Sequence, residues 1–272
     1  HKFYEYSATQ PDNILAGEGL ISVGSLQFGL TLSEIVDDNT IASKFSGIYD
    51  KNLKTLLLPL FFDFKDERVY YLEYDNNSEH NILSGIQMLI LNIVRYLDKL
   101  CDHICFIDPV RMNGSALGCL QPLINSYIDE VPVDKQGIMN ILSRAVAVLN
   151  NASRDETGRQ EAYFYFRRIF IFHDFPQGYT SEAVDIIRRL CANAKNYGIK
   201  IMVLHNVAHK EMQNKDLIDS IESIANGKIF YNNNQFYIYV DGVTHNFNWY
   251  QEPKFLPEVI KQRYVVEHSE KI

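Results

Sequence analysis

The chain has 272 residues, 46% hydrophobic and 12% aromatic, which is enough apolar material for a large core and argues against disorder over most of its length. A formal net charge of −8, with no Lys/Arg stripe on any predicted helix, excludes tight polyanion binding by this domain alone, because counterion release needs clustered cations. No apolar run approaches the ~20 residues that span a bilayer, so no membrane insertion by this segment is expected. The start does not read as a signal peptide, and His1 without an initiator Met suggests a piece excised from a longer protein. Cys101, Cys105, Cys119 and Cys191 lie in or beside apolar segments without CxxC spacing. They read as reduced thiols of a cytoplasmic protein. A helical Cys101-x3-Cys105 pair would supply too few ligands for a structural metal, so no metal is expected.

Residues 1–59 are of mixed character, with short alternating stretches such as 19–24, and read as an N-terminal extension. A strand–helix alternation then begins. A strand is predicted over 69–74, and a helix over 82–100 with Ile82, Ile86, Leu89, Ile90, Ile93 and Leu97 at helical spacing. Residues 104–107 form a short apolar strand closed by Asp108-Pro109, followed by a polar, glycine-containing loop over 111–118. Asp134 reads as the N-cap of a helix that carries Ile138, Ile141, Leu142, Ala145 and Leu149 on one face. The polar stretch 152–161 reads as a loop or helix end. Residues 168–173 are the clearest buried strand, ending in Asp174-Phe175-Pro176.

A helix over 181–197 turns Ala183, Ile186, Ile187, Leu190, Cys191 and Ala194 inward and stops at Gly198. A strand over 199–204 and a helix over 217–225 follow. The stretches 227–231 and 236–240 flank Asn232-Asn233-Asn234 as a C-terminal β-hairpin. The pattern predicts an α/β domain over 60–245, with a mostly parallel sheet, helices on both faces and a tail over 246–272.

In such a sheet ligands bind beyond the carboxyl ends of the strands, which singles out 74–81, Asp108 onward, His173-Asp174 and His205-Asn206. A phosphate-binding loop after the first strand needs glycines to wrap phosphates with backbone N–H groups, a lysine against their charge and a Ser/Thr for magnesium. The chain offers instead Asp75, Asn76, Asn77, Ser78, Glu79, His80 and Asn81. Asp75 and Glu79 repel a triphosphate, and Asp75, Asn76, Asn77 or Ser78 can cap the helix internally. Asp174 stands where a strand-end carboxylate could hold magnesium, yet Phe175 follows it where a water-orienting glutamate is needed. His173 is expected to pack at the sheet edge. His205-x3-His209 lacks the glutamate of a zinc-protease helix, and 114–118 is not a nucleophile elbow. Arg154, Arg159, Arg167 and Arg168 read as a solvated face that contributes only within a larger assembly.

Phe106-Ile107-Asp108-Pro109, Ile171-Phe172-His173-Asp174-Phe175-Pro176 and residues 196–204 together resemble the FtsK/SpoIIIE family of RecA-like motor domains over about residues 60–240. The resemblance implies a RecA-like fold, with the Walker A lysine falling near His80, its Ser/Thr near Asn81, the Walker B acid at Asp174, the catalytic glutamate at Phe175 and the sensor-strand glutamine near Asn206. Only Asp174 keeps the right chemical type. The resemblance therefore implies a degenerate module with a vestigial nucleotide site of Asn76, Asn77, Ser78, His80, Asn81, Asp174 and Asn206, no catalytic residue and no cofactor. Its expected role is structural or regulatory within a larger DNA translocase or secretion ATPase. Its expected partners are neighbouring ATPase modules of the same protein or ring, with DNA engaged through the assembly. The alternative is an active ATPase and DNA translocase with a divergent site, Asp174 holding magnesium for ATP and Arg167 or Arg168 of a neighbouring subunit supplying a cation. A third reading is a protein-recognition domain using Tyr237, Tyr239, Phe247, Trp249 and Tyr250.

Overall fold

The computed structural model describes residues 20–29, 49–50, 55–63, 69–95, 103–112, 114–208, 215–233, 235–240 and 243–249. Ten described strands form one sheet: β1 (Leu20–Gly29), β2 (Tyr49–Asp50), β3 (Thr55–Asp63), β4 (Val69–Tyr74), β5 (His103–Ile107), β6 (Arg168–Phe175), β7 (Lys200–Asn206), β8 (Gly227–Asn232), β9 (Gln235–Val240) and β10 (Val243–Trp249). Their spatial order is β2-β3-β1-β10-β9-β8-β4-β7-β6-β5. From β4 onward the sheet is mostly parallel: β8, β4, β7, β6 and β5 run in one direction, and β9 and β10 extend it antiparallel.

Parallel strands buried on both faces read as continuous apolar runs, and β5 to β7 do so. Tyr70, Leu72, Tyr74, Ile104, Phe106, Ile169, Ile171, Met202 and Leu204 join one core beneath α1 (Glu79–Arg95) and the 3-10 segment Ser115–Leu123. The alternate residues Val69, Tyr71, Cys105, Ile107, Phe170, Phe172, Ile201 and Val203 join a second core under α2 (Lys135–Ala152), α3 (Glu156–Tyr165), α4 (Ser181–Tyr197) and α5 (Lys215–Ile224). Each fully buried Leu, Ile or Phe contributes about 1.5–3 kcal/mol, so the two cores are the main source of stability. The expected α/β sheet with helices on both faces is thus present.

Local signals set the helix ends. Asp134 accepts from the Gly137 N–H at 2.7 Å, and Thr180 accepts from the Ala183 N–H at 3.1 Å. Gly198, at φ +68°, closes α4 in the left-handed conformation that favours glycine. β8 and β9 pair as an antiparallel hairpin out to Asn232 opposite Gln235, with Asn233 at φ +48°.

The structure corrects the loop expected within 152–161. Residues 156–161 are helical, because Asp155 caps α3 by accepting from the Gly158 N–H at 2.7 Å. Cys105 lies on β5, as the strand expected over 104–107 requires, while Cys101 lies outside the described residues. Among the described cysteines Cys105, Cys119 and Cys191 are free. β3 includes residues 59 and 60, β10 includes residues 245 and 246, and both strands pair into the one sheet. Leu97, His209 and Tyr250 lie outside the described residues. No helix among the described residues is long and apolar enough to cross a membrane.

Candidate functional site

β4, β7, β6 and β5 are consecutive in the sheet, so all four strand tips singled out in the sequence open onto one place. Successive strand residues face opposite sides, which would send His173 and Asp174 apart. An irregularity in the β6–β7 pairing between Phe172 and Phe175, with Asp174 at φ +53°, prevents this. The extra residue turns Asp174 to the α1 side beside His173, as β-bulges near sites commonly do, and returns Phe175 to the opposite core. A left-handed aspartate costs on the order of 1 kcal/mol, which its hydrogen bonds offset.

Those bonds are several. The Tyr74 hydroxyl donates to Asp174 Oδ1 at 2.5 Å, and the Asn206 amide lies 3.5 Å from the same oxygen. Asn206 also donates to Asn76 Oδ1 at 3.0 Å and accepts from the Ala208 N–H, tying the β7 tip to the turn after β4. Burial first, and then the Asp174 charge and hydrogen bond, push the Tyr74 hydroxyl far above the usual phenol range, so it stays a donor. The Tyr179 hydroxyl lies 3.2 and 3.1 Å from the carbonyl oxygens of Ile107 and His173 and shares its one hydrogen between them, bridging the β5 and β6 tips.

Arg111 is the centre of the site, and sequence reasoning passed over it. Its guanidinium donates to Asp108 Oδ2 at 3.0 Å and to Glu79, approaches Asp174 Oδ2 at 3.6 Å and lies 3.4 Å from His173 Nδ1. Asp108 in turn accepts the Val110 and Arg111 N–H groups at 3.1 Å, and its Oδ2 lies 3.4 Å from His173 Nδ1. Burial opposes the charged form of Asp108, but the His173 ring and the Arg111 bonds outweigh it and draw its pKa down to about 2. Against burial, the hydrogen bonds and charges of Glu79 and Asp108 hold Arg111 above its ordinary value. His173 is fully buried and stacks with Phe106 and Tyr74. It does not pack at the sheet edge, because β6 lies between β7 and β5.

The turn at the start of α1 is closed on itself. The Ser78 N–H and hydroxyl both donate to Asp75 Oδ1 at 2.9 Å, and the Asp75 N–H donates to Ser78 Oγ at 3.0 Å. Against the upward push of burial, Ser78 and Asn77 hold the Asp75 carboxyl below its usual range. Asn76, Ser78, Asp174 and Asn206 therefore gather at the strand tips. Asn77 stays exposed with its amide 3.4 Å from Asp75, and His80 and Asn81 are exposed on the first turn of α1. Glu79, His173 and Asp174 each present a ligand atom within 4.8 Å of the others, the one such grouping among the described residues. Arg168 is held elsewhere, at the start of β6, 2.9 Å from Asp129 and over the Tyr165 ring.

The sheet order, the parallel strand tips and the helices on both faces match a RecA-like α/β fold. Solved structures with this fold include the cytoplasmic domain of the Thermomonospora curvata type VII secretion ATPase EccC, with a TM-score of 0.60 and 12% identity over 90% of this chain and 28% of that one. ATPases 2 and 3 of the same EccC, in complex with a signal sequence peptide, match with a TM-score of 0.57 and 12% identity over 83% of this chain and 43% of theirs. The cytoplasmic domain of EssC matches with a TM-score of 0.55 and 13% identity over 90% of this chain and 46% of that one. The chain thus spans less than half the length of these relatives, and the likeness is one of fold. No protein-family model and no curated protein matches the sequence.

Proposed function

We propose that this chain is a non-hydrolysing RecA-like module of a larger translocase- or secretion-type ATPase, acting structurally or as a regulator of neighbouring ATPase modules. The observation that carries the reading is the Arg111 guanidinium lodged among Glu79, Asp108, His173 and Asp174. An internal cation there takes the acidic groups that a magnesium ion would need. The residues do not fit a magnesium-bound triphosphate in other respects. The Ser78 N–H is consumed by Asp75, both Asp75 and Glu79 face the helix start, and the turn over 75–81 has no lysine or arginine to oppose phosphate charge. Phe175 is buried in the opposite core, so no carboxylate follows Asp174 to orient a water.

Partners follow from the fold likeness. EccC and EssC are larger chains, of which this one covers 28% and 46%, and the second EccC structure holds two ATPase modules. Sister modules are therefore the expected contacts, with DNA or cargo reached through the assembly and not by this domain alone. Phosphate release by the purified chain, measured with Mg-ATP and duplex DNA at high protein concentration, tests the reading. A silent assay supports it; turnover abolished by Asp174→Asn overturns it.

One observation favours the alternative of an active, divergent translocase site: Glu79, His173 and Asp174 can reach a single ion. That reading requires Arg111 to leave the cluster. It predicts DNA-stimulated turnover in the same assay.

A further inference from the structure

At the opposite face of the sheet from α1, a pocket of about 440 Å³ opens between β4, α5 and strands β8 to β10. Its volume is that of a small-ligand site. Three aromatic residues line it, Tyr71, Phe230 and Tyr239, together with the carboxylates of Glu73 and Glu222 and one cation, Lys228. We infer that this pocket receives the cationic side chain, arginine or lysine, of a peptide segment presented by a protein partner.

The charge count points to a cation. Lys228 Nζ lies 3.4 Å from Glu222 Oε1 and is matched by it. Glu73 has no lysine or arginine in the wall: it meets the Tyr71 hydroxyl at 3.5 Å and, at 3.7 Å, His205 Nδ1, which pairs with it as an ion only when protonated. Tyr71 is itself engaged with the His205 ring, and its one hydroxyl hydrogen fills at most one of the several lone-pair positions of the carboxylate. The Glu73 carboxylate, partly open to solvent, keeps acceptor sites free. Aromatic faces attract cations through their quadrupole, best when the cation is partly desolvated, and this pocket sets a carboxylate beside three rings.

The aromatic surroundings select a peptide over a free amine. In the β8–β9 register Lys228 pairs with Tyr239 and Phe230 with Tyr237, so these four residues share one face, and Ile229, Phe236 and Ile238 share the face that packs beneath α1. Phe230 stacks on Tyr237 with ring centroids 5.4 Å apart, and Tyr239 is 49% exposed. The pocket therefore continues into an aromatic row that residues flanking the basic side chain can cover. Phe247, grouped with these aromatics on sequence grounds, belongs to the core beneath α1 and takes no part.

Titration of the full 272-residue chain, observed by amide NMR, tests the inference with the blocked tripeptides Ac-Gly-Arg-Gly-NH2 and Ac-Gly-Glu-Gly-NH2 and with guanidinium chloride as probes. The expected result is saturable shifts around Glu73, Lys228 and Tyr239 with the arginine peptide only. Affinity should fall about tenfold in Glu73→Gln and in Tyr239→Ala, and rise in Lys228→Ala, which removes the competing cation. Preference for the glutamate peptide, weaker binding in Lys228→Ala, shifts centred elsewhere, or no saturation overturns the inference. Guanidinium binding as tightly as the arginine peptide overturns the assignment to a peptide. Tyr239 is exposed, so that variant folds, and its retained spectrum separates lost binding from lost structure.

Discussion

Arg111 touches four side chains from two strand tips and a helix start, so its removal leaves several acidic groups facing one another with little water to replace it. Arg111→Ala should cost about 3 kcal/mol, by analogy with breaking one partner of a buried ion pair, read as a lowered urea midpoint. Arg111→Lys should recover only part, because a point charge cannot fork across Glu79 and Asp108. Asp108 gives the network a pH signature. Its folded pKa of about 2 lies below the ~3.9 of an unfolded aspartate. The unfolded chain takes the proton first as pH falls. The stabilisation is complete above the unfolded value and is lost as pH drops from about 4 towards 2, on the order of 2 kcal/mol. Asp108→Asn should remove that part of the acid limb, so that variant and wild-type stabilities converge towards pH 2. Asp174 was legible as the end of an apolar run. Arg111 was not, because nothing in the sequence distinguishes an arginine that folds back three residues from one that points to solvent.

The elements carry their own tests. Gly158 sits where α3 crosses the end of α2, and a Cβ there would lie 2.2 Å from the Asn151 carbonyl oxygen. That contact is with backbone, so Gly158→Ala must separate the two helices, at a cost of about 2 kcal/mol or more. Asp155→Ala should cost about 1 kcal/mol through loss of the cap, visible as a lower melting temperature without change of fold. The residues over 152–161 look like a loop because their polar side chains hide a one-sided helix in which Gly158 and Ala162 face inward. The helices of strong apolar period, α1, α2 and α4, were readable because burial on one face enforces the period. The turn of Asp174 towards α1 was not readable, since a bulge is fixed by pairing with β7 and leaves no local pattern.

At the scale of the molecule, the parallel block follows from strand–helix alternation. The antiparallel extension of β1, β3 and β10 does not, because its partners lie far apart in the chain. The sheet brings the tips of four strands to one place, where Arg111 is paired with Glu79, Asp108 and Asp174. The most direct test of a module with a self-filled site is calorimetric titration of the purified chain with Mg-ATP. The account predicts no saturable heat up to near-millimolar nucleotide. Saturable binding in the micromolar range, lost in Asp174→Asn, would contradict it.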